Sequence, residues 1–284
     1  MFGFDKFSAP FVMCCVLWVA VYTGFSADRP LGIDAAWDGI SNPHPEFNAL
    51  GDKFSFAIIG CAQVGRGDDK NPLFANAQFG LKTTVQELNA MERRPDFCVF
   101  LGDMVNVPDP ASLENFYTLV KPLKCPIVLN HGNHDTPPPY TDFRNLEEKI
   151  NGIRSVYYSF DAGQWHFITL PANIEFGNYD NLEVKKPMME WLIKDFEANK
   201  DRPTIVFVHM HLMPLGLTQL EWYTHSPTFK RELLDALTKW GNVKWYFNAH
   251  VHNGIKVAMK TAWTYKGINF LTVPSGTAPV WRGV

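Results

Sequence analysis

The chain has 284 residues, 46% of them hydrophobic, enough to bury one large core or two small ones. Its 26 basic and 29 acidic residues leave a net charge of -3, with no run of Lys and Arg. That balance disfavours electrostatic capture of nucleic acid and turns attention to the nine histidines.

The chain opens MFGFDKFSAPFVMCCVLWVAVYTGFSADRP. One lysine precedes an apolar run from Phe11 to about Val21, and Gly24, Ser26 and Ala27 follow as small residues. The pattern predicts a signal peptide over 1–27 and export to the periplasm or cell exterior. The run is shorter than the ~20 residues a membrane-spanning helix needs, so a retained N-terminal membrane anchor comes second and a buried helix third. Removing this segment leaves Cys61, Cys98 and Cys125, an odd number without close spacing, so no disulfide framework is implied. Residues 28–53, rich in Pro, Asn and Gly, read as an extended lead-in, and 54–284 as one domain.

From Phe54 onward, short apolar runs recur: FSFAIIG, DFCVFLGD, PIVLNHGN, VYYSFDA, WHFITLP, TIVFVHMH, VKWYFNAH and INFLTVP. Each is rich in β-branched or aromatic residues and bounded by turn residues, as strands are. Between them FGLKTTVQELNAMERR, KKPMMEWLIKDFEANK and PTFKRELLDALTKWG space apolar residues three and four apart, which predicts helices. Alternation of this kind argues for a layered α/β domain.

Five of the runs end in ligand-capable residues: Cys61-Ala62-Gln63; Asp103 and Asn106; Asn133, His134 and Asp135; His209 and His211; His250 and His252. The carboxyl edge of an α/β sheet is where ligands bind. A lone histidine after a strand is usually a hydrogen-bonded loop residue, but five such endings in one chain point to a shared site. Elsewhere the bland reading holds. His44 lies in the lead-in, His131 and His166 read as packed residues, and Trp245, Trp263 and Trp281 as core or edge packing. The stretch with Trp222, Tyr223 and His225 reads equally as a roof over the site or a solvated loop.

In order, GDMVN, GNHD and AHVH resemble the motifs GDxx(D/N/Y), GNH(D/E) and GHxH of calcineurin-like metallophosphoesterases, and the likeness covers nearly all of the chain after Phe54. The resemblance implies a four-layer αββα sandwich of mixed β-sheets flanked by helices. It also implies a site for two divalent transition metal ions (Mn, Fe or Zn) about 3.5–4 Å apart. Asp103 would bridge them. Asn133, His209 and His250 would complete metal 2, and His252 with the first motif would complete metal 1. His134, oriented by Asp135, would protonate the leaving group or stabilise the transition state. The implied reaction is attack of metal-activated hydroxide on a phosphate mono- or diester, small or macromolecular. A nuclease is disfavoured by the charge balance.

The chain departs from the family at its first motif, which is usually Asp-x-His or Asp-x-Gln and here is Cys-Ala-Gln. Gln63 fits the variant and offers a neutral oxygen to metal 1. Cys61 is read in two ways: as a thiolate ligand favouring softer ions, or as a small buried residue beside a weakened metal 1. On the second reading the domain is degenerate and binds a phosphorylated ligand or partner without turnover. Ala249 replaces a glycine and Asn106 a common aspartate, the latter as a supporting hydrogen bonder. Between His209 and His211 the earlier residue is preferred, since it stands directly at the strand end.

Overall fold

The computed structural model describes residues 39–68, 72–135, 141–172, 175–176, 179–180, 182–214, 224–252 and 261–275. The expected leader over 1–27, the stretch holding Trp222 and Tyr223, and Trp281 lie outside these residues. In chain order the elements are β1 (Ile40–Ser41), a short 3-10 helix (Pro45–Ala49), β2 (Phe56–Gly60), α1 (Pro72–Ala90), β3 (Phe97–Leu101) and α2 (Pro110–Val120). There follow β4 (Ile127–Asn130), α3 (Thr141–Asn151), β5 (Tyr158–Ala162), β6 (Trp165–Leu170), β7 (Glu175–Phe176), β8 (Tyr179–Asp180) and α4 (Leu182–Ala198). The chain continues through β9 (Thr204–Val208), α5 (Pro227–Thr238), β10 (Val243–Asn248), β11 (Ala262–Tyr265) and β12 (Ile268–Thr272). Among the described residues no helix is long and apolar enough to cross a membrane.

The strands form a mixed sheet in the order β1-β5-β6-β9-β10-β12-β11 and a parallel sheet β2-β3-β4, with β7 and β8 paired separately. The central strands are buried on both faces, which explains why FCVFL and TIVFV are unbroken apolar runs rather than alternating ones. Their faces still divide by parity. Phe97, Val99 and Leu101 of β3 join Ile205 and Phe207 of β9 in a core between the sheets, while Cys98, Phe100, Val206 and Val208 join the helix-facing core. Phenylalanines dominate the inter-sheet layer: Phe56 stacks on Phe97 at 5.1 Å, Phe160 on Phe167 at 4.9 Å, and Phe207 on Phe247 at 5.8 Å. Offset and edge-to-face ring pairs at such distances stabilise beyond their buried area.

The outer layers come from amphipathic helices. Leu81 and Val85 of α1, Phe116 of α2 and Leu146 of α3 bury on the side of the smaller sheet, with Phe116 edge-on to Phe100 at 5.2 Å. Met188, Leu192 and Phe196 of α4 and Leu233 of α5 bury with Val206 and Val208 of β9 and Tyr246 of β10 in the larger sheet. The result is helix, sheet, sheet, helix, as the α/β layering anticipated. Part of the 28–53 lead-in is built into this body: β1 pairs with β5, and Phe47 and His44 pack into the inter-sheet core with their rings 4.9 Å apart.

Candidate metal centre

The loops after β2, β3, β4, β9 and β10 meet at one edge of the two sheets, and their backbone turns sharply there. Cys61, Gln63, Asp103 and His250 all have positive φ, at 46°, 44°, 54° and 63°. An L-residue held so costs on the order of 1–3 kcal/mol and persists only where its surroundings over-determine it. Here the β2 loop is stitched to the β3 loop by Cys61 N–H to Gly102 O at 3.2 Å, Gln63 N–H to Asp103 O at 2.8 Å and Val64 N–H to Met104 O at 3.1 Å.

Asp103, fully buried, lies at the middle. The imidazole of His209 donates from Nδ1 to the Leu101 carbonyl at 2.9 Å, which turns Nε2 toward the site. That nitrogen lies 3.1 Å from Asp103 Oδ2 and 3.1 Å from Asn133 Oδ1. An imidazole nitrogen, a carboxylate oxygen and an amide oxygen thus converge on one point. Without an ion, a proton on Nε2 joins the imidazole to the two oxygens; with that proton gone, the same three atoms are a nitrogen–oxygen donor set that fits a divalent cation. Two groups of metal-capable atoms, each within 4.8 Å of one another, occur among the described residues: Asp103 with His209 and His250, and Asp103 with Cys61 and His252. Asp103 belongs to both. Gln63 reaches the same carboxylate, with Nε2 3.5 Å from Oδ2.

The electrostatics follow from burial. Desolvation and then neighbouring His209 push His250 down to about 3, which favours the neutral imidazole that can ligate. His252, more open to solvent, is also pushed down by its desolvation, with the Asp103 charge opposing. Burial also opposes charge on Asp103, but His209, His134 and His250 outweigh it and hold the carboxyl well below its usual range. His209 is pushed up, since the Asp103 carboxylate outweighs desolvation. Burial pushes the Cys61 thiol well up, and the Asp103 charge adds to this.

His134 is half-buried beside these groups. Its main-chain N–H donates to Asp103 Oδ1 at 3.0 Å, and its Nδ1 lies 2.9 Å from the Asn106 carbonyl. The orienting contact at that nitrogen comes from a main-chain oxygen. Asp135, expected to orient His134, directs its carboxylate to the other side, where it accepts four main-chain N–H groups. Those of Asp103 and Gly132 reach Oδ2 at 2.9 and 2.7 Å, and those of Met104 and Val105 reach Oδ1 at 2.6 and 3.2 Å. It clamps the β3 loop against the β4 loop. Burial and the Asp103 charge push its pKa up; with two N–H donors on each oxygen the carboxylate is the form this cradle is built to accept.

Two glycines that sequence reasoning passed over make the site feasible. A Cβ on Gly132 would lie 2.0 Å from the Asp103 nitrogen, and one on Gly102 would lie 2.3 Å from His209 Nδ1. Their signal was the G of GD and of GN, where loop and ligand approach too closely for any side chain. His211 is buried but does not join the ligand groups, its ring centre lying 6.3 Å from that of His250. His131 is buried edge-on to Phe143 at 5.0 Å, and His166 is held between Asp161 and Asp195 far along the chain from the site motifs.

A double-sheet sandwich that gathers carboxylate, amide and imidazole donors at its strand ends is the framework of a metal-dependent phosphoesterase. Residues 54–254 match the family model described as calcineurin-like phosphoesterase, and the chain belongs to that family. It is 24% identical to the 3',5'-cyclic adenosine monophosphate phosphodiesterase CpdA of Escherichia coli, over 72% of this chain and 69% of that protein. It is 26% identical to the serine/threonine-protein phosphatase CPPED1 of Homo sapiens, over 78% and 73% of the two chains. In fold it is similar to a dimetal phosphatase from Danio rerio, with a TM-score of 0.59 at 14% identity, covering 79% of this chain and 88% of that one. A hydrolase acting on phosphoric ester bonds, dependent on divalent metal ions, is the class these findings support.

Proposed function

We propose that this chain hydrolyses phosphate mono- or diesters at a dinuclear centre built on Asp103. The carrying observation is that one buried carboxylate belongs to both ligand groups, Cys61/Asp103/His252 and Asp103/His209/His250, with Asn133 beside the second. Two cations held there would supply Lewis-acid charge and activate a water. The chain's own residues do the rest. Asp103 and Cys61 bring the negative charge that binds the ions. The neutral imidazoles of His250 and His252 and the oxygens of Asn133 and Gln63 complete the set. His134 Nδ1 rests on the Asn106 carbonyl, so its Nε2 is left to face the ester and give a proton or hydrogen bond to the leaving oxygen. Relatives named for a cyclic diester and for a phosphoprotein support both substrate types. The leader sequence supports action outside the cytoplasm.

The test is turnover of an aryl phosphate monoester and diester by metal-stripped protein resupplied with Mn, Fe or Zn, beside Asp103→Asn. Turnover that returns with metal in the wild type alone supports the reading; turnover independent of metal refutes it. One observation favours the degenerate alternative. The Cys61 thiol is 1% exposed and its pKa is raised by burial, so without an ion it stays protonated. On that reading the protein binds phosphorylated ligands but returns no turnover with any metal.

A further inference from the structure

Cys61 stands where a carboxylate is usual in this family, and its surroundings are not those of a cysteine that only fills space. We infer that Cys61 ligates metal 1 as a thiolate, making the two metal positions chemically unlike, with a thiophilic ion such as zinc selected at the position shared by Cys61, Asp103 and His252. The inference rests on the dinuclear reading above and adds to it a metal preference.

Three observations carry it. The first is reach: the Cys61 sulfur, an Asp103 carboxylate oxygen and a His252 ring nitrogen all lie within 4.8 Å of one another. Sulfur, oxygen and nitrogen from three separate loops meet there, with His252 exposed as the route in for an ion. Thiolate sulfur, imidazole nitrogen and carboxylate oxygen are the donor types zinc takes, and the Gln63 amide beside Asp103 is the fourth protein group at this position. The second is backbone conformation. Cys61 sits at φ 46° and its partner Asp103 at 54°, where the β2 and β3 loops cross, so the turn fixes where the sulfur is placed. The conformation is locked from both sides, by Cys61 N–H to Gly102 O and by the Ser275 hydroxyl donating to Cys61 O at 3.0 Å. The third is support for the sulfur: the His250 main-chain N–H donates to it. Hydrogen bonds to a ligating sulfur are a common way proteins hold and tune it. Ser275 comes from the segment after β12, so the far end of the fold fixes this one residue.

The chemistry follows from ligand softness. Thiolate keeps the single negative charge of the carboxylate it replaces, so charge at the centre is unchanged. It exchanges a hard oxygen for a soft sulfur, which moves preference away from Mn and Mg and toward Zn, Co and Cd. Metal 2, with imidazole, amide and carboxylate donors, gains no such preference. Ligation takes the proton from the Cys61 sulfur and releases it to water as the ion binds, one proton per ion at metal 1.

The experiment is cobalt substitution of the full-length protein, read by absorption and by metal count. Wild type loaded with Co(II) is expected to show a sulfur-to-cobalt charge-transfer band in the near ultraviolet. Cys61→Asp is expected to bind the same number of ions without the band, and Cys125→Ser to keep the band. In competition, the Cd-over-Mn preference of the wild type should fall at least about tenfold in Cys61→Asp. Cys61→Ala provides a second variant, expected to lose both the band and one ion. Two bound cobalt ions without the band overturn the thiolate inference and leave the dinuclear reading standing, as does a band that survives in Cys61→Asp or Cys61→Ala. Failure to bind cobalt at all overturns both.

Discussion

Replacing Asp135 with asparagine isolates the clamp between the two central loops. The native carboxylate accepts from Asp103 and Gly132 on one oxygen and from Met104 and Val105 on the other. Asparagine keeps one acceptor oxygen and turns an NH2 group toward the other pair of N–H donors, so two bonds are lost. Hydrogen bonds to a charged acceptor contribute about 1.5–3 kcal/mol each, which gives a loss of about 3–6 kcal/mol. Removing the Asp135 charge also relieves its repulsion with buried Asp103, offsetting part of that. The expected net loss is about 3 kcal/mol, a large fraction of the ~5–15 kcal/mol that holds a domain together. Urea unfolding of metal-free protein, monitored by tryptophan fluorescence, reads this directly. A variant as stable as wild type, to within about 0.5 kcal/mol, but with turnover reduced would refute the clamp. It would return Asp135 to a role on His134.

Three further outcomes are expected. Gly102→Ala, with a positive φ and a Cβ that would meet the His209 ring, should lower metal content and turnover together, measured by elemental analysis and aryl phosphate hydrolysis. Asn133→Ala and His250→Ala should weaken metal 2 more than metal 1, seen as one of two steps lost in a metal titration. His166 bonds Asp161 at 2.7 Å and Asp195 at 2.6 Å, and Arg202 pairs with Asp161 at 3.2 Å. Burial disfavours the His166 cation, but the two carboxylates outweigh it and raise the pKa above its ordinary 6.5. Its stabilisation is therefore complete below that ordinary value and is lost as pH rises through the higher folded value. Melting temperature should fall over that window in wild type and stay flatter in His166→Gln; parallel profiles would remove His166 from the account.

Much of the framework was legible because the same side chains that form it also name it. FCVFL, IVLN and TIVFV are buried on both faces, so their apolar runs could not be mistaken for loops. Helix α3 is hard to read from sequence because its inward stripe of Phe143, Leu146 and Ile150 is interrupted by the buried carboxyl-bearing Glu147 and set among charged residues. Helix α2 carried a start signal that was passed over: Asp109 accepts from the N–H groups of Ala111 and Ser112, with Pro110 opening the helix. The two-residue β1 and the exposed edge strand β11 take their shape from their neighbours rather than from their own patterns. At the centre, ligand-bearing residues could be read from the strand ends, but not the main-chain contacts. The Leu101 carbonyl that turns His209 and the Asn106 carbonyl under His134 carry no side-chain identity. Asp135 adjoins His134 in sequence, yet the loop aims its carboxylate elsewhere.

The central claim is that a single carboxylate, Asp103, holds a pair of ions, and metal stoichiometry of wild type beside Asp103→Asn tests it most directly. The account predicts two ions per chain in the wild type and loss of both in the variant. A variant that keeps either ion at wild-type affinity would contradict it.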